Sequence, residues 1–177
     1  RVQQQCWHAD DELRWIVAAI SDTGCRMAEI VGLSKADVRL DGDIPFIAIR
    51  PQPWRRLKTA SSERNIPLVG SAFWGITRAY QSTNSEMLFP RYNDGFSTNS
   101  NSASAALSKW LKQQTNPDCT MHSFRHSFRD RLRAVECPIE LTDALGGWST
   151  DGIGAAYGQG YSLQLKQKWL SAIVLKP

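Results

Sequence analysis

From His122 to Arg133 the chain reads HSFRHSFRDRLR, which places two imidazoles, four guanidiniums and one carboxylate on one short stretch. Wound into a helix, Phe124, Phe128 and Leu132 make an inward stripe, while His122, Arg125 and Arg129 lie towards another face. A histidine three positions before an arginine is a weak signal alone, because a basic helix face with a histidine at its start is its ordinary explanation. A metal site is the second explanation, since Cys119, His122 and His126 fall at ligand-like intervals. Against it, no fourth acidic or thiol ligand stands nearby, and the flanking arginines repel a dication. Two more stretches are rich in reactive groups: WRRLKTASSERN, with Arg55, Arg56, Lys58 and Arg64, and YGQGY, with Tyr157 and Tyr161.

The elements that must position these groups can be read from the periodicity. Leu13, Ile16, Val17 and Ile20 recur at helical spacing behind an acidic start, and SDTG breaks that helix. RMAEIVGL then resumes a short helix that buries Met27, Ile30 and Val31, so Arg26 sits at a helix start with Glu29 close to it at i+3. From Val38 to Val69 the pattern becomes β-like: VRLDGDIPFIAIR holds an Asp41-Gly42 turn between two strand candidates, and RNIPLV supplies a third. A small antiparallel sheet results, with Lys58 at a strand end or turn. Helices are expected over 71–81, 101–114, 122–134, 138–145 and 162–174, separated by Gly, Pro, Ser and Asn clusters. The fold class is therefore mainly α with a small antiparallel sheet (α+β), without internal repeats.

A chain of 177 residues suits one domain, 1–177, with a sizeable core. No apolar run approaches the roughly 20 residues of a membrane helix, so no membrane partner is expected. The opening RVQQQ has neither an initiator Met nor the order of a signal peptide, and reads as a piece of something longer. The net charge of +4 and a pI near 9.0 fit a polyanionic partner or an ordinary solvated surface equally well. Cys6, Cys25, Cys119 and Cys137 are scattered without CxxC spacing, as in a reduced cytoplasmic protein.

The company HxxR keeps is more specific than the motif itself. TGCRMAEIVGL lies upstream, LKTASSERNIPL follows with Lys58, and LGGWSTDGIGAAYG lies downstream. Together, and in this order, these segments resemble the tyrosine recombinase (phage integrase) family over about residues 10–175. The resemblance implies the DNA breaking-rejoining catalytic fold, with the amino-terminal core-binding domain that clamps DNA absent from this stretch. It places the catalytic arginines at Arg26 and Arg125, the lysine at Lys58, the histidine at His122 and a supporting acid at Glu29. Trp148 takes the His or Trp position, although the chain reads LGGW where LGH is commoner. Tyr157, nine residues beyond Trp148, is then the nucleophile, and Tyr161, thirteen beyond, is a packing or phosphate-contacting residue.

Elementary chemistry agrees with that assignment. A phosphodiester under attack by an oxygen gathers charge on its non-bridging oxygens, and two guanidiniums meet them with directed hydrogen bonds. A phenol of pKa about 10 needs a neighbour as it attacks, and His122 either accepts its proton or only orients it. A lysine on a turn can protonate the leaving deoxyribose oxygen. Trp148 packs over the site or donates its indole N–H to a phosphate oxygen. Glu29 orients His122 or Arg26, or is a surface carboxylate. Arg55, Arg56 and Arg64 compete with Lys58 as simple phosphate contacts.

The expected function is site-specific DNA recombination through a covalent 3′-phosphotyrosyl intermediate, in the cytoplasm of a cell hosting a mobile element or prophage. No metal or nucleotide cofactor is expected. The partners are double-stranded DNA and further protomers in a tetrameric synapse. There a tail helix with Leu165, Trp169 and Ile173 as its stripe docks in trans; the alternative is packing on its own domain. A type IB topoisomerase and a catalytically silent DNA-binding module are the rival readings.

Overall fold

A computed structural model of the chain describes residues 2–149 and 160–175. Its elements run α1 (Val2–Ala9), α2 (Glu12–Thr23), α3 (Met27–Val31), β1 (Val38–Arg39), β2 (Phe46–Ile49), β3 (Arg64–Pro67), α4 (Gly70–Ser82), α5 (Ser100–Gln114), α6 (Ser123–Ala134), α7 (Ile139–Gly146) and α8 (Leu163–Ala172). Short 3-10 turns at Lys35–Asp37 and Ala60–Ser62 precede β1 and β3. The mainly helical architecture with one small sheet is the expected one, and α1 is the element the sequence reading lacks.

Helix α2 is the centre of the molecule. Asp11 caps it, accepting the backbone N–H of Arg14 at 3.0 Å, and its residues from Ile16 to Thr23 are all buried. It packs chiefly on α4 and also against α1 and α6. SDT extends the helix beyond the expected break, which falls instead at Gly24 with φ of +62°. Only glycine serves there at no cost. A Cβ would add a clash 2.4 Å from the ring of Phe128, and the closeness of that ring is what brings Arg26 up to α6.

The sheet is antiparallel in the order β1-β2-β3, with Ile47 opposite Val38 on one side and Ile66 on the other. Ile47, Ile49 and Ile66 point into the core, and Arg64, paired in register with Ile49, points the same way. Buried Asp22 ties the helices together. It accepts Gln3 Nε2 of α1 at 2.9 Å, the Ser71 N–H of α4 at 2.8 Å and Arg131 Nη1 of α6 at 2.9 Å. Arg131 in turn donates to the Ile173 carbonyl at 2.9 Å, fastening the end of α8.

The tail helix lies against β3 of its own domain. Its buried face is Lys166, Leu170 and Ile173, one step round from the expected Leu165, Trp169 and Ile173 stripe; Leu165 is exposed and Trp169 half-buried. The shift arises because Lys166, which a hydropathy reading assigns to solvent, has a backbone carbonyl partner inside. All four cysteines are free thiols, and among the described residues no helix is long and apolar enough to cross a membrane.

Candidate active site

The site forms where the C-terminus of α7 meets α3, α6 and the turn before β3. A helix C-terminus leaves carbonyls without intrahelical partners and carries partial negative charge. Here three successive carbonyls each receive a different arginine. Leu145 O accepts Arg64 Nε at 2.9 Å, Gly146 O accepts Arg125 Nη2 at 2.9 Å, and Gly147 O accepts Arg26 Nη2 at 3.4 Å. Segments distant in sequence are thus gathered by one helix end.

LGGW has its explanation in that arrangement. Gly147 closes α7 in the left-handed region, φ +62°, and a Cβ there would lie 2.6 Å from Arg64 Nη1. A Cβ on Gly146 would fall 1.8 Å from the Trp148 ring. Both glycines are needed to let Trp148 fold back over the arginines: the Arg125 guanidinium lies 4.7 Å from its ring centre and that of Arg129 4.9 Å.

Arg26 caps α3, as expected, and makes the expected ion pair with Glu29 at 2.8 Å. The Glu29 side chain returns to accept the Arg26 backbone N–H at 2.8 Å. Glu29 is no surface carboxylate; it is 3% exposed and also pairs with Arg64 at 3.0 Å. Its bonds go to arginines, so of its two expected partners Arg26 is the one it orients. Burial alone would raise the Glu29 pKa, but the Arg64 charge and hydrogen bonds, followed by Arg26, outweigh burial and hold the carboxyl below its usual range.

Arg125 departs from the helical-wheel reading. With Phe128 and Leu132 it forms the buried face of α6, whereas Phe124 is only half-buried. The charge is tolerated inside because Arg125 donates to the carbonyls of Gly24 and Gly146. Burial, and next the neighbouring Arg26, lower its pKa to about 10, so it remains cationic at neutral pH.

His122 stands exposed at the N-cap of α6 with His126 edge-on, ring centres 5.1 Å apart. Its pKa is lowered by burial and then by the charges of His126, Arg125, Arg26 and Lys58. Lys58 itself is exposed, in the bend between β2 and β3. Buried Ser62, just after that bend, accepts Arg26 Nη1 at 3.0 Å and so ties the lysine-bearing turn to the arginine. The structure therefore brings Arg26, Lys58, His122, Arg125 and Trp148 together, with Glu29 beneath them. Tyr157 lies outside the described residues.

The competing phosphate contacts are sorted by their partners. Arg55 pairs with buried Asp37 at 3.3 Å and Arg64 with buried Glu29 at 3.0 Å, so each charge is already matched by a carboxylate inside the fold. Only Arg56 shares the exposure of Lys58. The structural role of Arg64 was missed because an arginine in a polar loop-to-strand segment reads as surface; its one sequence signal is its place inside a strand candidate. Ser62 carried no signal. In HSFRHSFRDRLR itself, Arg129 pairs with Asp143 at 3.1 Å, Arg131 is the helix staple and Arg133 makes an exposed pair with Asp130. Among the described residues no three His, Cys, Asp or Glu side chains converge as a metal would require, Cys119, His122 and His126 included.

A family model described as the phage integrase family matches residues 5–161. Two solved structures share the fold. The Tn1549 transposon integrase in complex with transposon right-end DNA, a tyrosine-to-phenylalanine variant, is 16% identical with a TM-score of 0.60, over 88% of this chain and 53% of that one. The same integrase with circular-intermediate DNA is 14% identical with a TM-score of 0.58, over 89% and 57%. At such identities the likeness is one of fold, and this chain spans little more than half the length of those integrase chains. No curated protein sequence matches it.

Proposed function

The chain belongs to the phage integrase family, and on that premise we propose that it is the catalytic domain of a site-specific tyrosine recombinase that cuts and rejoins DNA. The observation that carries the reading is the charge balance of the site. Arg26, Arg64 and Arg125 converge with Lys58 close by, while Glu29 is the one carboxylate paired with these arginines among the described residues. A site left with surplus, directed, partly buried positive charge is built for an anion that gains charge as it reacts.

In the proposed reaction the Tyr157 phenol attacks the scissile phosphorus and forms a 3′-phosphotyrosyl ester, and the 5′-oxygen of the next deoxyribose leaves. Arg26 and Arg125 donate to the non-bridging oxygens, with Trp148 holding Arg125 by stacking and its indole N–H directed to a phosphate oxygen. His122, neutral at pH 7 because its pKa is lowered, accepts the phenol proton. Lys58 protonates the leaving oxygen. Reversal with a 5′-hydroxyl from a partner strand completes strand transfer, and the ester bond conserves the energy, so the chemistry calls for no added cofactor. Double-stranded DNA is the substrate, a reading supported by the Tn1549 integrase, whose structures are complexes with DNA. A DNA-clamping domain would work beside this one, and several protomers would assemble on paired sites.

The test is a nicked duplex that releases a short oligonucleotide on cleavage and so traps the intermediate. A covalent protein–DNA band that resists denaturation is expected, followed by joining to a labelled partner strand. Adduct with relaxation but no partner exchange points to a topoisomerase, and DNA binding with no adduct on any duplex points to a silent binding module.

A further inference from the structure

Tyr161, the second phenol of YGQGY, has no part in the chemistry proposed above. It lines an open cavity of about 480 Å³ together with Arg50, Glu63, Arg64, Asn65 and Lys166. Arg64 forms one wall and turns its charge inward to Glu29, so the cavity backs directly onto the candidate active site. Gly160, three positions after Tyr157 in the sequence, lines it too.

The cations of this cavity are not balanced. Arg50 reaches Glu63 at 3.3 Å, but the pair stands open to water, with side chains 36% and 51% exposed, and such a pair holds little energy. Arg50 Nη2 is aimed by Asn65 Oδ1 at 2.7 Å. Lys166 is 9% exposed; its ammonium donates to the Asn65 carbonyl at 3.0 Å, and no carboxylate pairs with it among the described residues. An ammonium has three N–H donors, and a buried one with a carbonyl for a partner is under-compensated. Burial, then the charges of Arg64 and Arg50, accordingly lower its pKa. Leu163, in the first turn of α8, also lines the cavity, which therefore opens at a helix N-terminus and its partial positive charge.

We propose that Lys166, Arg50 and the Tyr161 hydroxyl form a second phosphate site, which holds a DNA backbone phosphate other than the one attacked. A phosphodiester presents two non-bridging oxygens, enough for the ammonium and the guanidinium at once, and the phenol O–H adds a neutral donor. Phosphate contacts of this kind carry no sequence information and set the register of the duplex. By seating a neighbouring phosphate on β3 and α8, the site fixes where the scissile one lies across Arg64. The inference rests on DNA being the substrate.

The test uses the intact chain and a fluorescent mixed-sequence duplex, with affinity measured by anisotropy over a series of KCl concentrations. Lys166→Met keeps the buried stem and removes the charge; Arg50→Gln, at a half-buried position outside the core, guards against a folding defect in the first variant. Each should lower the slope of log affinity against log salt by about one unit and weaken binding several-fold at low salt. Tyr161→Phe should weaken binding with the slope intact, since it removes no charge. Wild-type slopes in both charge variants overturn the proposal. A second arm measures the rise in thermal midpoint on adding inorganic phosphate at constant ionic strength. If Lys166→Met loses that rise while its DNA slope stays wild-type, the cavity takes free phosphate and the DNA assignment is overturned. Failure of the recombinase reading shows separately, as a wild-type chain that binds DNA and forms no adduct.

Discussion

Replacing Glu29 by Gln should destabilise the domain more than its conservative shape implies. The carboxylate receives four donors: the Arg26 N–H at 2.8 Å, Arg26 Nη1 at 2.8 Å, and Arg64 Nη1 and Nη2 at 3.3 and 3.0 Å. An amide keeps one oxygen for two of them and turns an NH₂ group against the others. Two charge-assisted bonds at about 1.5–3 kcal/mol each, left facing a donor in a buried site, give a loss of about 3–5 kcal/mol, the usual cost of breaking a buried pair. For a domain of this size that lowers the thermal midpoint by about 6–20 °C. The folded-state pKa of Glu29 is depressed, so its contribution is complete above the unfolded value of about 4.3 and is lost as pH falls through the folded one. Thermal unfolding of both proteins, followed by circular dichroism at pH 7 and in steps down to pH 3, should therefore show a gap that is full at pH 7 and closes in acid. A variant within about 1 kcal/mol of wild type at pH 7 would refute the reasoning, as would a gap unchanged by acid, either of which means that Glu29 does not hold Arg26 and Arg64.

Three further outcomes concern the chemistry. Arg125→Lys, and likewise Arg26→Lys, should slow adduct formation on a trapping substrate by about a hundredfold, because lysine cannot supply the planar two-point contact; single-turnover rates within a few-fold of wild type would remove either arginine from the role. Lys58→Met should cleave an ordinary duplex slowly and one with sulfur in place of the leaving 5′-oxygen at nearly the wild-type rate, since a thiol of pKa about 8.5 leaves without a proton; equal defects on both substrates exclude Lys58 as the acid. The pKa of His122 is lowered, first by burial, so the adduct rate should be full at neutral pH and fall only on the acid side of an ordinary imidazole's titration. His122→Asn should abolish that acid limb, and its persistence would show that another group titrates.

Much of this architecture was legible because local rules agree with the fold. Ile16, Val17 and Ile20 announce α2, Asp41-Gly42 announces the first hairpin, and TGCR followed by Glu29 announces both the end of α2 and the capped start of α3. What was not legible depends on partners far along the chain. Arg125 looks exposed on a helical wheel, because the carbonyls that accept its hydrogen bonds belong to Gly24 and Gly146. Arg64 and Arg55 look like loop cations until Glu29 and Asp37 close on them. Lys166 broke the apolar stripe of α8 for the same reason: its carbonyl partner, Asn65, is 101 residues away. Helix α1 sets a run of three glutamines among its apolar residues, and beside buried Cys6 one of its anchors is the polar contact of Gln3 with Asp22, which hydropathy does not register. The glycines of LGGW could be counted in the sequence, but that one spares Trp148 and the other Arg64 is a matter of three-dimensional approach.

The central claim is that the bond to DNA is made by the phenol of Tyr157. The direct measurement is to trap the wild-type chain on a nicked duplex, digest the adduct with trypsin and nuclease, and locate the residual nucleotide by fragment-ion mass spectrometry, with Tyr157→Phe run in parallel. The peptide that carries both phenols of YGQGY should bear its phosphonucleotide on Tyr157, and Tyr157→Phe should give no adduct. A nucleotide on Tyr161 or on any other residue, or an adduct that survives in Tyr157→Phe, would contradict the account.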